Sequence, residues 1–128
     1  MDPDDPALLA FWTARHLCSL TTLRVDGSPH VVAVGATFDP ASMTARVITR
    51  DGSVKVRNVD RSASAARVAI CQVDGRRWST LEGIAQVSRD PADVAESVRR
   101  YAERYRQPRP NPTRVTILVA VTRILGAA

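Results

Sequence analysis

Short strand-like segments separated by strong turn signals recur along this 128-residue chain and restrict its fold more than any other feature. Asp26-Gly27 is a dipeptide typical of a two-residue hairpin, and apolar, β-branched segments flank it on both sides. The segment that follows the hairpin is apolar on both faces, which predicts a central strand. We expect strands over residues 17–25, 29–38, 44–49, 65–73, 78–88 and 115–124.

Helix-start signals lie between or beside these strands. Asp5-Pro6 and Asp90-Pro91 each place a capping carboxylate before a proline at the first helical position, where the missing N–H costs nothing. Ser53 is expected to cap a short helix that ends near Asp60. The chain therefore predicts three helices, of which the one after Asp90 has the clearest start.

The third predicted helix has an apolar face at spacings of four, three and four, formed by Val94, Val98, Tyr101 and Tyr105. Its arginines, among them Arg104, are expected to lie largely off that face. The proline-rich segment 108–112 then ends the helix in an extended link before the last strand. Two amides, Gln72 and Asn58, are interpreted as surface groups, the latter with local helix contacts.

Six strands with flanking helices predict a mainly β fold, a closed six-stranded antiparallel barrel that forms a single domain over residues 1–128. Closure removes the unpaired edges that six short strands would otherwise expose. The interior of so small a barrel is filled by side chains. We therefore expect a ligand on the outside, in a groove against a helix or a second subunit.

Several classes of site are disfavoured by the residue types present. Cys18 and Cys71 lie in apolar segments without a CxxC pair and are expected to be buried free thiols, while His16 and His30 lack metal-ligand spacing. No metal is therefore expected. No apolar run approaches the roughly 20 residues of a membrane span, and the acidic N-terminus lacks the basic region of a signal peptide. The expected location is the cytoplasm, with no membrane partner.

The formal net charge of +5 favours an anionic partner. Nucleic acid is not the expected one, because the few aromatic residues do not form a stacking platform on adjacent strands. Lys55 is the single lysine among eighteen basic residues, and it follows Ser53 where a strand gives way to a helix. A helix start with a nearby ammonium predicts a phosphate or carboxylate site, whereas the alternative interpretation is a solvated helix face.

A set of segments, in this order, resembles the flavin and deazaflavin split β-barrel proteins, the pyridoxamine-phosphate-oxidase-like superfamily. The segments are residues 21–24, 27–32 and 47–49, Ser53-x-Lys55-x-x-Asn58, residues 71–75 with Trp78, and Glu82-Gly83. Within that superfamily the chain resembles the F420-dependent biliverdin reductases. Residues 21–24, 29–35, 71–75 and the proline-rich 104–112 carry this second resemblance.

The resemblance implies a split β-barrel homodimer with coenzyme F420 bound at the subunit interface. It implies that the phosphate side of the cofactor is held by Ile48, Thr49, Arg50, Ser53 and Lys55. The strand along the deazaflavin ring is matched by His30, Val31, Val32 and Ala33. The loop and strand that complete the pocket are matched by Val73, Asp74, Gly75, Arg76, Arg77, Trp78 and Ser79. No residue is assigned a catalytic role.

The activity implied by the resemblance is hydride transfer from reduced coenzyme F420 to the tetrapyrrole biliverdin, giving bilirubin. Such an enzyme leaves the chemistry to its cofactor, which agrees with the lack of a nucleophile and base constellation in this sequence. Three alternatives remain: an F420-dependent reductase of quinones or other unsaturated compounds, an FMN-dependent oxidase, and a non-enzymatic cofactor-binding module. The FMN-dependent oxidase lacks support at the C-terminus, because residues 123–126 do not match the Arg-Leu-x-Pro-like ending typical of such oxidases.

Overall fold

A computed structural model describes residues 2–62 and 65–127, which form three helices and seven strands. Every strand pair is antiparallel, and all seven strands belong to one sheet. In chain order the elements are α1 (Pro6–Thr13), β1 (Cys18–Leu23), β2 (Pro29–Val34), β3 (Ala36–Asp39), β4 (Thr44–Arg50), α2 (Val54–Arg61), β5 (Ala66–Asp74), β6 (Arg77–Ser88), α3 (Pro91–Arg104) and β7 (Arg114–Ala127).

The predicted number of strands was wrong, because Gly35 divides the expected segment 29–38 into two strands. The strand order is β2-β1-β5-β6-β7-β4-β3, so β2 lies at one edge of the sheet and β3 at the other. The prediction that this segment is central was therefore also wrong. Since the two edge strands are consecutive and joined through Gly35, the sheet curls back on itself. Among the described residues β2 and β3 do not pair with each other, so the predicted closure of the barrel was wrong and the sheet is a curled half-barrel.

The concave side of the curled sheet is filled by fully buried side chains, among them Leu20, Ile70, Leu81, Ile117 and Val119. This packing confirms the expectation of an interior filled by side chains. Helix α1 packs at one end, where the indole Nε1 of Trp12 donates to Ser79 Oγ at 3.0 Å. None of the helices in the described part of the chain has the length and apolarity needed to cross a membrane.

The predicted helix starts are confirmed at two positions and modified at the third. The carboxylates of Asp5 and Asp90 accept hydrogen bonds from the backbone N–H two residues on, each at 2.9 Å. Ser53 occupies the N-cap position of α2, but its side chain makes no capping hydrogen bond. Its hydroxyl instead accepts a hydrogen bond from Thr49 at 3.4 Å, which fixes the end of β4 against the start of the helix.

Arg104 was expected off the packed face of α3, and this prediction was wrong. Its side chain is buried with 8% of its surface exposed. The guanidinium donates to the carbonyl oxygens of Ala14 (3.1 and 2.9 Å) and Ala36 (2.6 Å) and to Gln72 Oε1 (2.5 Å). It also lies over the rings of Trp12 and Tyr105. A buried cation is thus compensated by carbonyl groups rather than by a carboxylate.

The surface interpretation of the two amides was wrong for the same reason, namely that both face the interior. Gln72 lies on the inward face of β5 and donates to the carbonyl oxygen of Phe11 at 3.0 Å. Asn58 is buried under α2 and donates to Thr22 Oγ1 at 2.9 Å. The thiols of Cys18 and Cys71 are both free, but only that of Cys18 is buried; that of Cys71 is half-buried on the outer face of β5.

Candidate functional site

Several clefts lie on this surface, and one of them, of about 320 Å³, is lined by four of the five predicted phosphate-side residues, Ile48, Thr49, Arg50 and Lys55. It lies on the outer side of the sheet, between the junction of β2 and β3, the end of β4, the start of α2, the last turns of α3 and the segment before β7. Its lining consists of Ala33, Val34, Gly35, Ile48, Thr49, Arg50, Lys55, Tyr101, Pro108, Asn111 and Arg114.

Gly35 shapes the floor of this cleft. A Cβ atom at this position would lie 2.7 Å from Cε2 of Tyr101 and 3.3 Å from the ring of Tyr105, so any larger residue would displace those side chains. The two tyrosine rings lie 4.8 Å apart. Because Gly35 has no side chain, the two tyrosine rings pack directly against the main chain and form an aromatic wall of the cleft.

Three cations form the polar end of the cleft: Arg50, Lys55 and Arg114. Among residues 2–62 and 65–127, no carboxylate lies within salt-bridge distance of any of them. Burial, and secondarily the charge of Arg50, lowers the pKa of the Lys55 ammonium from its usual value. Uncompensated positive charge at the start of a helix is the arrangement that a phosphate or carboxylate binds.

The predicted site residues fall into separate groups. Ala33, Ile48, Thr49, Arg50 and Lys55 line the cleft together, and Ser53 is buried beside them through its contact with Thr49. In the antiparallel register, the other residues of β2 alternate between the interior and the outer face of the sheet. Val31 is largely exposed on the outer face, whereas Val32 packs against the core.

His30 lies opposite Thr22 in the ladder, on the side of β2 that faces the interior. Its Nδ1 atom is buried and has no hydrogen-bond partner in the described part of the chain. His30 does not line the cleft itself.

The predicted group from Val73 to Ser79 lies apart from this cleft, on the hairpin that joins β5 to β6. Ser79 is fully buried and accepts from Trp12, while Arg77 pairs with Asp74 at 2.5 Å and lies over the ring of Phe11. Val73 and Trp78 are exposed on the outer face of the sheet. Within one chain, this hairpin and the cationic cleft are separate surfaces.

Some lining residues were not predicted as site residues: Gly35, Tyr101, Pro108, Asn111 and Arg114. A glycine inside an apolar strand is a known sign of close backbone approach and could have identified Gly35. The others come from α3 and from the segment after it. Nothing in their local sequence indicates that this part of the chain folds back over β4.

Comparison with known proteins gives matches over nearly the whole chain. The family model described as pyridoxamine 5′-phosphate oxidase matches residues 4–127. The F420H(2)-dependent biliverdin reductase of Mycobacterium tuberculosis (strain CDC 1551 / Oshkosh) is 58% identical over 120 residues, which cover 94% of this chain and 85% of that protein.

Two solved structures share the fold. The conserved hypothetical protein Rv2991 of Mycobacterium tuberculosis superposes with a TM-score of 0.77 at 24% identity, over 95% of this chain and 83% of that one. A structure described as an F420 reductase superposes with a TM-score of 0.72 at 24% identity, over 91% of this chain and 94% of that one. At this identity the two structures establish the architecture alone.

Proposed function

This chain belongs to the pyridoxamine 5′-phosphate oxidase family, and on that premise we propose that it is an F420-dependent reductase that transfers a hydride to biliverdin. The observation that carries the proposal is the 58% identity, over 94% of this chain, to an F420H(2)-dependent biliverdin reductase. Because the match covers 94% of this chain, the same cofactor and the same class of substrate are inferred.

The residues of the cleft fit the chemistry of this cofactor. Coenzyme F420 has a flat deazaflavin ring, a phosphate and a tail of carboxylates. Ala33, Ile48 and Tyr101 offer apolar or aromatic surface to a ring, while Arg50, Lys55 and Arg114 supply positive charge for the anionic groups. Within the residues that the structure describes, no carboxylate neutralises these cations, and the guanidinium of Arg114 donates only to the carbonyl oxygen of Arg109, at 2.6 Å.

The protein's part in the reaction is to bind, orient and shield. When bound, the reduced deazaflavin supplies the hydride, and the reduction adds this hydride to the central methine carbon of biliverdin and a proton to a pyrrole nitrogen. Arg50 and Lys55 hold the anionic end of the cofactor, which fixes its position along the cleft. The backbone from Ala33 to Gly35 and the ring of Tyr101 limit the orientation of the flat end and displace water from one face.

The test of this proposal is a fluorescence titration of the purified protein with coenzyme F420, with FMN titrated in parallel. We expect F420 to bind at micromolar concentration and FMN to bind more weakly, and we expect F420H(2) oxidation to require biliverdin. Tight FMN binding would instead support the oxidase alternative. F420 oxidation with quinones but not with biliverdin would retain the cofactor and change the substrate.

We further propose that the active form is a homodimer in which the β5–β6 hairpin of one protomer completes the cleft of the other. The outer face of β1, β2, β5 and β6 supports this arrangement because large apolar side chains on it are exposed: Leu23 (44%), Val31 (58%), Val73 (57%) and Trp78 (40%). The same face has a groove of about 560 Å³. Exposed apolar surface of this kind is typical of subunit interfaces.

Sedimentation equilibrium at micromolar protein concentration should therefore report a mass near twice the 13.9 kDa of one chain. Trp78→Glu should shift the species toward the monomer, because a carboxylate in the centre of an apolar interface is desolvated without a partner. The exposed Arg106→Glu on the segment after α3 is the matched control and should leave the mass unchanged. A monomeric wild-type protein would contradict the proposal.

A further inference from the structure

Arg89 bridges two carboxylates, one before helix α2 and one in the last turn of that helix. It lies between the last residue of β6 and the N-cap of α3, so its backbone is held from both sides. Its Nε and Nη2 atoms each donate at 3.0 Å to one oxygen of Asp51, and Nη2 also donates to Asp60 at 2.8 Å. Asp51 precedes α2, whereas Asp60 lies in its last turn.

Asp51 makes a second connection, through its backbone. Its N–H donates to the carbonyl oxygen of Thr113 at 2.7 Å, next to Arg114 of the cleft. The segment that leads from Arg50 to Lys55 therefore contacts the start of α3 through Arg89 and the approach to β7 through Thr113. Arg50 is adjacent to Asp51 and Arg114 is adjacent to Thr113, while Lys55 follows Asp51 within a few residues.

We propose that Arg89 is a positioning residue for the anion site: it holds the β4–α2 segment so that Arg50, Lys55 and Arg114 keep the spacing that a bound anion requires. The identification of that anion as the phosphate of coenzyme F420 rests on the proposed function, whereas the geometric role of Arg89 does not.

The physical argument concerns pre-organisation rather than stability. Exposed ion pairs contribute little to folding, and the side chains of Arg89, Asp51 and Asp60 are 42–49% exposed. The segment that they hold contains Gly52 at a φ of +83°, a residue with wide conformational freedom when it is not restrained. A restrained segment loses less entropy when the anion binds, so affinity changes more than the free energy of unfolding.

Arg89→Ala is expected to raise the dissociation constant for coenzyme F420, and its KM, by about fivefold, the effect of losing two exposed pairs. The kcat at saturating cofactor should stay within about twofold, because the bound geometry of the ring is set by other residues. Arg89→Lys retains the charge without the two-pronged geometry and should recover only part of the affinity.

The matched control is Arg99→Ala. Arg99 also pairs with two carboxylates, Glu96 and Glu103, and its side chain is 53% exposed, but it lies on α3 and does not belong to the lining of the cleft. Its replacement should leave the dissociation constant and KM unchanged. Equal affinities of the Arg89→Ala and Arg99→Ala proteins would overturn the positioning role while leaving the proposed function intact.

Amide hydrogen exchange without any ligand separates the two proposals. The N–H of Asp51, bonded to Thr113, and the amides of residues 52–57 should exchange faster in Arg89→Ala than in Arg99→Ala. This result would support the positioning role even if the wild-type protein failed to bind coenzyme F420, an outcome that would remove the proposed function alone. Equal exchange in the two variants would overturn the positioning role.

Discussion

Arg104→Ala is expected to lower the free energy of unfolding by about 3 kcal/mol or more, the largest stability effect that we predict for this chain. The substitution removes the guanidinium donor from the carbonyl oxygens of Ala14 and Ala36 and from the side-chain oxygen of Gln72 in a buried region. Of the side-chain donors among the described residues, the carbonyl oxygen of Ala36 then retains only the Tyr105 hydroxyl at 3.1 Å, and Gln72 Oε1 only the weakly donating thiol of Cys18 at 3.6 Å. Each unpaired buried acceptor costs about 1–3 kcal/mol. In a domain of this size, such a loss lowers Tm by about 10 °C, measured by thermal and urea unfolding.

Two further variants define the cause of that loss. Arg104→Lys retains the charge but cannot reach three separate acceptors with the same planar geometry, so it should remain clearly destabilised. Arg106→Ala removes an exposed arginine two residues further on and should change the free energy of unfolding by less than about 0.5 kcal/mol. Wild-type stability of the alanine variant at position 104 would contradict the structural role assigned to this guanidinium.

The contacts of Arg104 also position the end of α3 at the cleft. Arg104 joins the last turn of α3 to the end of α1 and to the first residue of β3. The neighbouring Tyr105 hydroxyl donates to the carbonyl oxygen of His16 at 2.7 Å and accepts from the N–H of Ala36 at 3.1 Å. This end of α3 thereby holds Tyr101 against Gly35, and with it the aromatic wall of the cleft.

Local signals in the sequence predicted most of the secondary structure. The turn at Asp26-Gly27 and the proline-bearing helix starts depend on neighbouring residues only, so a single sequence contains what is needed to find them. The inward direction of Arg104 and Gln72 depends on which strand and helix meet at the end of the sheet. The apolar periodicity of α3 therefore could not predict that Arg104 is buried, and the residue types of β5 could not predict that Gln72 is buried.

The candidate site was predictable to the extent that its residues are close in the chain. Arg50, Ser53 and Lys55 follow one another at the junction of β4 and α2, and a strand followed by a helix start is visible in the sequence. Asn111 and Arg114 reach the same cleft from a distant segment, through a fold in which β7 pairs with β4. Such pairing depends on the whole sheet, so local patterns do not contain it.

Lys55→Ala is expected to weaken binding of coenzyme F420 by more than tenfold while leaving the fold intact. A hydrogen bond between charged groups contributes about 1.5–3 kcal/mol, and each 1.4 kcal/mol corresponds to about tenfold in affinity. Lys55 lines the cleft and has no carboxylate partner among the described residues, so its loss leaves no unpaired group behind. The measurement is a fluorescence titration, with circular dichroism to establish that the fold is retained.

The control for Lys55→Ala is Arg57→Ala, because Arg57 is an exposed cation of the same helix that does not line the cleft. Its replacement should change the affinity by much less, which separates a specific contact from the loss of one positive charge.

The pH dependence of cofactor binding gives a second criterion for the role of Lys55. Burial and Arg50 lower the pKa of Lys55, whereas a bound anion favours its charged form, so affinity should fall as the pH rises into the alkaline range. Because Lys55 is the single lysine of the chain, this fall should be much smaller in Lys55→Ala. An unchanged dissociation constant in that variant would remove Lys55 from the site.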